Sequence, residues 1–439
     1  MDRDTKEVLS QIYRAAVAAA DPYISVRQNL SIEPGTLSSG GAHYSLPDTN
    51  NIYVIGAGKA AYGMAKAVED VLKGLINEGA VVTKDGHGGP LARIRLYEAS
   101  HPVPDGRGVL AASRIMDIAT GAGEDDLVLC LLSGGASALM ALPAEGLALK
   151  DKQAVTRLLL ASGADIGEIN CVRKHLSGIK GGRLAEAAYP ARVSTLIISD
   201  VIGDDIGTIA SGPTAPDETT FYQASDILLM RGVYDRLPRP VADYLEKGRS
   251  GLIPETPKPG EETFAMVDNV IIASNRTALG KAKEVAEYLG YSSLIFESPV
   301  QGEAREAAAR LAREARKYRE GGGLLPACLI VGGETTVTIK GGGMGGRNQE
   351  MALAFAAELQ GYDGIAALFA GTDGTDGPTD AAGAFADGRT VGLAHEAGLI
   401  ASDLLADNDS YHFFEQTGDL FSPGPTGTNV MDIGIILVR

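Results

Sequence analysis

The chain has 439 residues, a length that favours two or three domains over one and excludes a small disulfide-stapled scaffold. Hydrophobic residues make up 45% and charged residues 22%, ordinary globular values that exclude disorder, collagen and coiled coil as whole-chain descriptions. Against 39 Lys and Arg stand 56 Asp and Glu, and the net charge of −17 argues against nucleic acid and anionic membrane surfaces as partners.

The start, MDRDTKEVLS, is acidic and polar, and the longest apolar runs, such as LVLCLL at 127–132, fall far short of the ~20 residues a membrane span needs. Cys130, Cys171 and Cys328 are far apart, form no CxxC pair and suggest neither a zinc site nor a disulfide framework. A soluble cytoplasmic protein is expected. Glycine occupies 56 positions, well above ordinary usage, with no period to absorb the surplus, so these residues need local explanations.

In chain order, residues 4–28 read as a helix with Val8, Ile12, Ala15, Ala16 and Ala19 on one face, followed by a polar stretch within 31–50 read as loop. Strand runs follow at NIYVIG (51–56), GAVVT (79–83), ARIRLYEA (92–99), DLVLCLLS (126–133) and RVSTLIIS (192–199), with helical stretches between most of them. Apolar strands alternating with helices predict a parallel sheet covered on both faces. A Pro/Glu-rich stretch at 250–263 reads as a domain boundary. A second α/β series is expected after it: NVIIAS, a helix over 276–289, SSLIF, a helix over 303–319, ACLIVGG, TTVTIK, a helix near 348–359, GIAALFAG and MDIGIILV.

Glycine meets charge at several strand ends. GAGKAAYG opens a helix, and Gly56, Gly58 and Ala61 match G-x-G-x-x-G/A, while Lys59 adds a cation where the turn already favours an anion. Three readings stand here: a structural turn, a dinucleotide site, and an anion or phosphoryl site. An acidic residue to hold a ribose is missing from its usual place. SGGASAL places Ser133, Gly134, Gly135 and Ser137 at a second strand-to-helix turn, whose backbone N–H groups are candidate ligand donors; a plain tight turn and serine-hydrolase chemistry are the alternatives. In NCVRKHLSGIKGGRLA, Arg173, Lys174, His175, Lys180 and Arg183 gather five basic-type side chains, either as a solvated face or as an anion site.

The acidic loop SDVIGDDIG offers Asp200, Asp204 and Asp205 for Mg²⁺ or for a substrate hydroxyl proton, although such loops are more often Asx turns. Further on, VGGETTVTIKGGGMGGRNQE sets Gly332 and Gly333 before Glu334, and Gly345 and Gly346 before Arg347 at a helix start, a candidate second anion receptor. AGTDGTDGPTDAAG adds Asp373, Asp376 and Asp380 at another strand end.

These segments, in this order over nearly the whole chain, resemble the glycerate 2-kinases that carry a C-terminal MOFRL domain, formerly often labelled hydroxypyruvate reductases. The resemblance implies ATP- and Mg²⁺-dependent phosphorylation of D-glycerate to 2-phosphoglycerate. It also implies an α/β fold with a Rossmann-like first domain (1–250), a second α/β domain (264–439) containing MOFRL at about 325–435, and a cleft between them. Lys59 and Arg347 match the residues associated with catalysis in that family, and Asp200 is expected to orient or deprotonate the 2-hydroxyl. Gly56, Gly58, Ser133, Gly134, Gly135, Ser137, Arg173, Lys180, Gly332, Gly333, Gly345 and Gly346 are the expected substrate and ATP contacts, with Glu334, Asp204 or Asp373 near the metal. A monomer or homodimer acting on small molecules is expected. The alternatives are an NAD(P)H-dependent hydroxypyruvate reductase and a non-catalytic small-anion sensor.

Overall fold

A computed structural model describes residues 1–439. The chain forms two compact units, residues 22–272 and residues 1–21 with 273–439. No helix is long and apolar enough to cross a membrane.

In the first unit, β1 (Leu30–Glu33), β2 (Thr36–Ser39) and β3 (Ala42–Ser45) form an antiparallel meander. The stretch read as loop is therefore largely paired: Gly35 and Gly40 take positive φ at the two turns, and Leu37 and Ser39 are buried.

The main sheet of this unit contains β4 (Ile52–Ala57), β5 (Ile76–Lys84), β6 (Ile94–Ala99), β7 (Leu127–Leu132), β8 (Arg192–Ile198) and β9 (Val267–Ala273), in the order β6-β5-β4-β7-β8-β9. The pairs from β6 through β8 are all parallel, as the alternation predicts. Every residue of β7 is buried, which is what two covered faces require. From β4 the order runs one way to β5 and β6 and the other way to β7 and β8, so the strand order reverses between β4 and β7. Ligands of open α/β sheets bind at that point, outside the carboxyl ends of the strands. Gly56 is level with Leu131 and Ala57 with Leu132, so the turns after β4 and β7 leave the same edge side by side.

NVIIAS, expected to open the second domain, is β9 at the edge of this first sheet. The Pro/Glu-rich stretch lies inside the same unit, held by Thr256 Oγ1 donating to Asp217 Oδ2 (3.0 Å) and Asp217 N to Pro257 O (2.9 Å). The opening helix is two: Arg3–Ala19, capped by the Asp2 carboxylate on Thr5 N–H (2.9 Å), and Pro22–Asn29. The first buries Leu9, Ile12, Tyr13 and Ala16, and Tyr13 donates to Gly371 O at 2.6 Å, so it packs with residues 273–439.

That second unit carries β10 (Ser292–Val300), β11 (Ala327–Gly333), β12 (Ile365–Gly371), β13 (Gly383–Asp387), β14 (Leu420–Phe421) and β15 (Asp432–Val438), ordered β10-β11-β15-β12-β13-β14. Only β10–β11 is parallel; β15 inserts antiparallel between β11 and β12, making a mixed sheet. TTVTIK is not a strand. It makes one isolated bridge, Thr336 N donating to Gly302 O (2.8 Å), and further along its amides go to side chains, Thr338 N to Glu303 and Lys340 N to Asn408.

Candidate active site

In the turn after β4, Gly58 N donates to Val82 O (3.0 Å), Lys59 N to Gly134 O (2.9 Å), Ala60 N to Ser133 Oγ (3.1 Å) and Ala61 N to Gly58 O (3.1 Å). The amides that a dinucleotide fingerprint would aim at a pyrophosphate are thus spent inside the protein, and the turn offers a ligand only the Lys59 side chain. Gly56 and Gly58 serve close packing: a Cβ on Gly56 would stand 2.4 Å from Leu131 O, and one on Gly58, at φ +138°, 2.0 Å from Ser133 Oγ. Ser133 is accordingly a strut of this turn. Asp85, just beyond β5, is gripped by Arg107 through both oxygens (2.6 and 2.7 Å), so the carboxylate nearest a ribose-binding position is already engaged.

The neighbouring turn is different. The amides of Gly134 and Gly135 have no partner within the chain, which leaves two donors at the switch point. A Cβ on Gly134 would lie 2.1 Å from Asp200 Oδ2, and one on Gly135 would lie 3.1 Å from His101 Cδ2 and 3.3 Å from Lys59 Cγ. Lys59, His101, Asp200 and two open amides therefore meet around one Gly-Gly pair. Burial first, and then the Lys59 and Lys84 charges, push the His101 imidazole down to about 4, so it is neutral at physiological pH. Ser137 Oγ shares a hydrogen bond with Ser211 Oγ (2.7 Å), which donates to Asn170 Oδ1 (3.2 Å).

From Gly135 and Ser137 a cavity of about 430 Å³ extends over Lys152, Arg157, Arg173 and Lys180, and no carboxylate lines it. Lys180 is 2% exposed, and its ammonium has one partner, Ala210 O at 3.2 Å. Lys152 donates to Leu142 O at 3.2 Å. Burial, reinforced by Arg173, lowers Lys152 to about 7; burial with Lys152 and Arg173 holds Lys180 well below the usual lysine range, and burial lowers Arg173. Buried cations without counter-charges are costly unless something supplies the missing anion. Of the rest of the basic run, Lys174 pairs with Asp217 (3.3 Å) and His175 is a core residue bonded to Cys171 O (2.8 Å) and Glu255 (3.1 Å), whereas Arg183 buries its Nε and Nη2 without a hydrogen-bond partner.

In the second unit, Arg347 starts the helix Arg347–Glu358. Its Nε and Nη2 hold Asp432 side-on (2.5 and 3.0 Å), and Nη1 donates to Glu334 (2.6 Å). The helix N-terminus is filled as well, by Asp376, which accepts from Asn348 N (3.1 Å) and Gln349 N (2.8 Å). The expected anion receptor thus already holds anions of its own chain. Burial raises Asp432 to about 6 against the pull of Arg347, and raises Asp376; burial of Arg347 is outweighed by Asp432 and Glu334, which hold its guanidinium above its ordinary value.

The glycine loop follows the same pattern. Lys340 N and Gly341 N donate to Asn408 Oδ1, Gly342 N to Asp407 Oδ1, and Met344 N to Asp409 Oδ1. Gly345 and Gly346 pass within clash distance of Ser410 and Asp376, and Gly332 and Gly333 of Asn275 and Val300, so all four positions need glycine for close packing.

Residues 8–246 match the domain of unknown function DUF4147 and residues 327–432 match the MOFRL family. The chain is 41% identical over 438 residues to a glycerate 2-kinase of Pyrococcus horikoshii, covering 99% of this chain and 98% of that one. It is 42% identical over 399 residues to a D-glycerate 2-kinase of Thermotoga maritima, covering 90% and 93%. A crystal structure of glycerate kinase from Thermotoga maritima superimposes over the whole of both chains with a TM-score of 0.88 at 39% identity. The chain belongs to the glycerate 2-kinase family.

Set against that family, the structure brings Lys59, Gly134, Gly135 and Asp200 together, and joins Ser137, Arg173 and Lys180 around one cavity. Sequence reasoning missed His101, Lys152 and Arg157. His101 stands in the HPVPDGRG segment and was legible as a motif, but Lys152 and Arg157 lie on an ordinary amphipathic helix, Leu149–Ala161, and carry no local signal. No three His, Cys, Asp or Glu side chains cluster so as to hold a metal. Mg²⁺ commonly takes one or two carboxylates together with waters and phosphate oxygens, and Asp200 Oδ2 is the carboxylate oxygen beside Gly134. Glu334 and Asp373 are otherwise engaged, with Arg347 and with Thr375 N (3.1 Å).

Proposed function

We infer that the protein is a glycerate 2-kinase, transferring the γ-phosphoryl group of ATP to the 2-hydroxyl of D-glycerate. The single observation that carries this reading is the group of cations, with no carboxylate among them, beside two open amides at the switch point of a chain whose net charge is −17. Full-length identity to glycerate 2-kinases supports the substrate.

Phosphoryl transfer asks for positioning and charge stabilisation more than for covalent chemistry. The 2-hydroxyl oxygen attacks phosphorus, the bond between phosphorus and the β–γ bridging oxygen breaks, ADP leaves with that electron pair, and the hydroxyl proton passes to the Asp200 carboxylate. Lys59 and the Gly134 and Gly135 amides stabilise charge on the transferred group. Neutral His101 beside Gly135 donates or accepts a hydrogen bond without adding charge. Asp204, on the loop that follows Asp200, is the carboxylate that would hold Mg²⁺, which neutralises phosphate charge when bound.

The deciding experiment supplies ATP, Mg²⁺ and D-glycerate and resolves the products. ADP with 2-phosphoglycerate is expected. Absence of ADP, or loss of the nicotinamide absorbance with hydroxypyruvate and NAD(P)H, overturns the reading.

A further inference from the structure

We propose that the cavity beside Ser137 is the site of the nucleotide donor and not of the acceptor, with the base against its apolar mouth and the polyphosphate on its cationic floor. The inference rests on the phosphotransferase reading and names which of the two substrates this cavity takes.

Three observations point the same way. The first is size. At about 430 Å³ the cavity is far larger than a three-carbon acid fills, and a nucleotide is the larger partner of the reaction. The second is charge. Four cations line it without a carboxylate, more than a single carboxylate needs and what a polyphosphate tail satisfies. Arg173 in particular is half-buried without an ion pair, and the partners of Lys152 and Lys180 are neutral carbonyls, Leu142 O and Ala210 O, with no counter-charge.

The third is polarity gradient. Val103 and Leu160, at 62% and 60% exposed, stand at the mouth of the same cavity, opposite in character to its floor. Large apolar side chains left this open at a pocket rim suit a flat, weakly polar body, while the charged end sits deeper. The rim is a fixed feature: Gln153 Nε2 donates to Pro104 O at 2.8 Å, tying the segment after His101 to the helix that carries Lys152 and Leu160.

Binding of MgADP and of inorganic tripolyphosphate to the full-length protein, measured calorimetrically without D-glycerate, tests the assignment. Arg173→Met is expected to weaken both ligands tenfold or more, with Arg173→Lys recovering part of the loss. Leu160→Asp, at an exposed position that folding tolerates, is expected to weaken MgADP at least fivefold and to leave tripolyphosphate within twofold. D-Glycerate affinity stays unchanged in all three. Unchanged MgADP binding in both Arg173→Met and Leu160→Asp overturns the proposal, as does a loss confined to D-glycerate, which would make this the acceptor site. Because the readout is binding, the two readings fail separately. MgADP losses as stated in a protein that forms no 2-phosphoglycerate leave the site standing and sink the kinase assignment. Turnover with unaltered MgADP binding does the reverse.

Discussion

Replacing Lys152 by methionine should stabilise the protein while weakening its hold on nucleotide, because the cavity keeps a charge that the empty fold resists. Burial and Arg173 bring the Lys152 ammonium from an ordinary 10.5 down to about 7. A lowered lysine pKa means that the folded state binds fewer protons than the unfolded state between those values, so stability rises with pH across the window from 7 to 10.5 and the full penalty is present below 7. At about 1.4 kcal/mol per pH unit the difference sets a ceiling of about 5 kcal/mol on the cost of charging Lys152 in the fold. Water entering an open cavity reduces that, and a gain of about 1–2 kcal/mol at pH 6.5 is the expected result for Lys152→Met, shrinking towards zero by pH 10. Thermal melts of both proteins at pH 6.5, 8 and 10 measure it. A variant that melts below the parent at pH 6.5, or a difference that grows with pH, refutes the argument.

The same residue makes a second, independent statement. Phosphate oxygens arriving beside Lys152 favour its charged form, so at pH 7.5 to 8 MgADP binding should take up a proton and weaken as pH rises. The groups that face Lys152 in the cavity are Arg157, Arg173, Lys180 and His101. Of these His101 is pushed down to about 4 and does not titrate in that window. Lys180 is held well below the usual lysine range, so its share must be separated by comparison with Lys152→Met. Calorimetry in two buffers of different ionisation enthalpy reads the proton count. A count unchanged in Lys152→Met removes Lys152 from the linkage.

Three further outcomes follow from the site geometry. Lys59→Met should lower kcat by about 10²-fold or more, and by removing a cation beside His101 it should raise the imidazole from about 4 towards 6.5, a change visible by NMR titration; an unmoved His101 means the two side chains are not neighbours. Arg347→Met strands the buried Asp432 without its partner and should cost about 3 kcal/mol or more at pH 8; burial already raises Asp432 to about 6, so protonation makes the loss smaller at pH 5, and equal losses at both pH values would count against the ion pair. Gly58→Ala puts a Cβ 2.0 Å from Ser133 Oγ and 2.6 Å from Ser133 O at φ +138°, and should destabilise by about 2 kcal/mol or more in urea titrations; a neutral result means the turn is not packed as described.

The strands of the first sheet were legible because they are fully buried runs between helical stretches, and LVLCLL, RVSTLII and NIYVIG reappear as β7, β8 and β4 within a residue or two. Long-range placement was not. Nothing local in NVIIAS says that it closes the edge of the first sheet, since a buried strand reads the same in either sheet. The meander at 30–45 was hidden by its polar, glycine-marked turns, and TTVTIK, with good β propensity, is held by side chains of Glu303 and Asn408 that lie far away in sequence. Tertiary partners override local preference in both cases.

The glycine-rich segments divide on the same principle, and the division bears on function. A glycine loop is a set of backbone donors, and whether those donors meet a ligand depends on what else in the fold can reach them. In KGGGM, the Asp407 and Asp409 carboxylates, the Asp407 carbonyl and the Asn408 side chain reach them, and at the following helix Asp376 does. In GAGK, carbonyls of β5 and the next turn and the Ser133 hydroxyl reach them. At Gly134 and Gly135 the donors stay open, as they do at Gly345 and Gly346, but at the first pair the nearest side chains include two basic-type groups, Lys59 and His101, beside Asp200. An acidic protein has carboxylates to spare for filling its own anion sites, so composition favours the filled outcome. A pair of amides left open next to cations without counter-charges is then what marks where a foreign anion belongs.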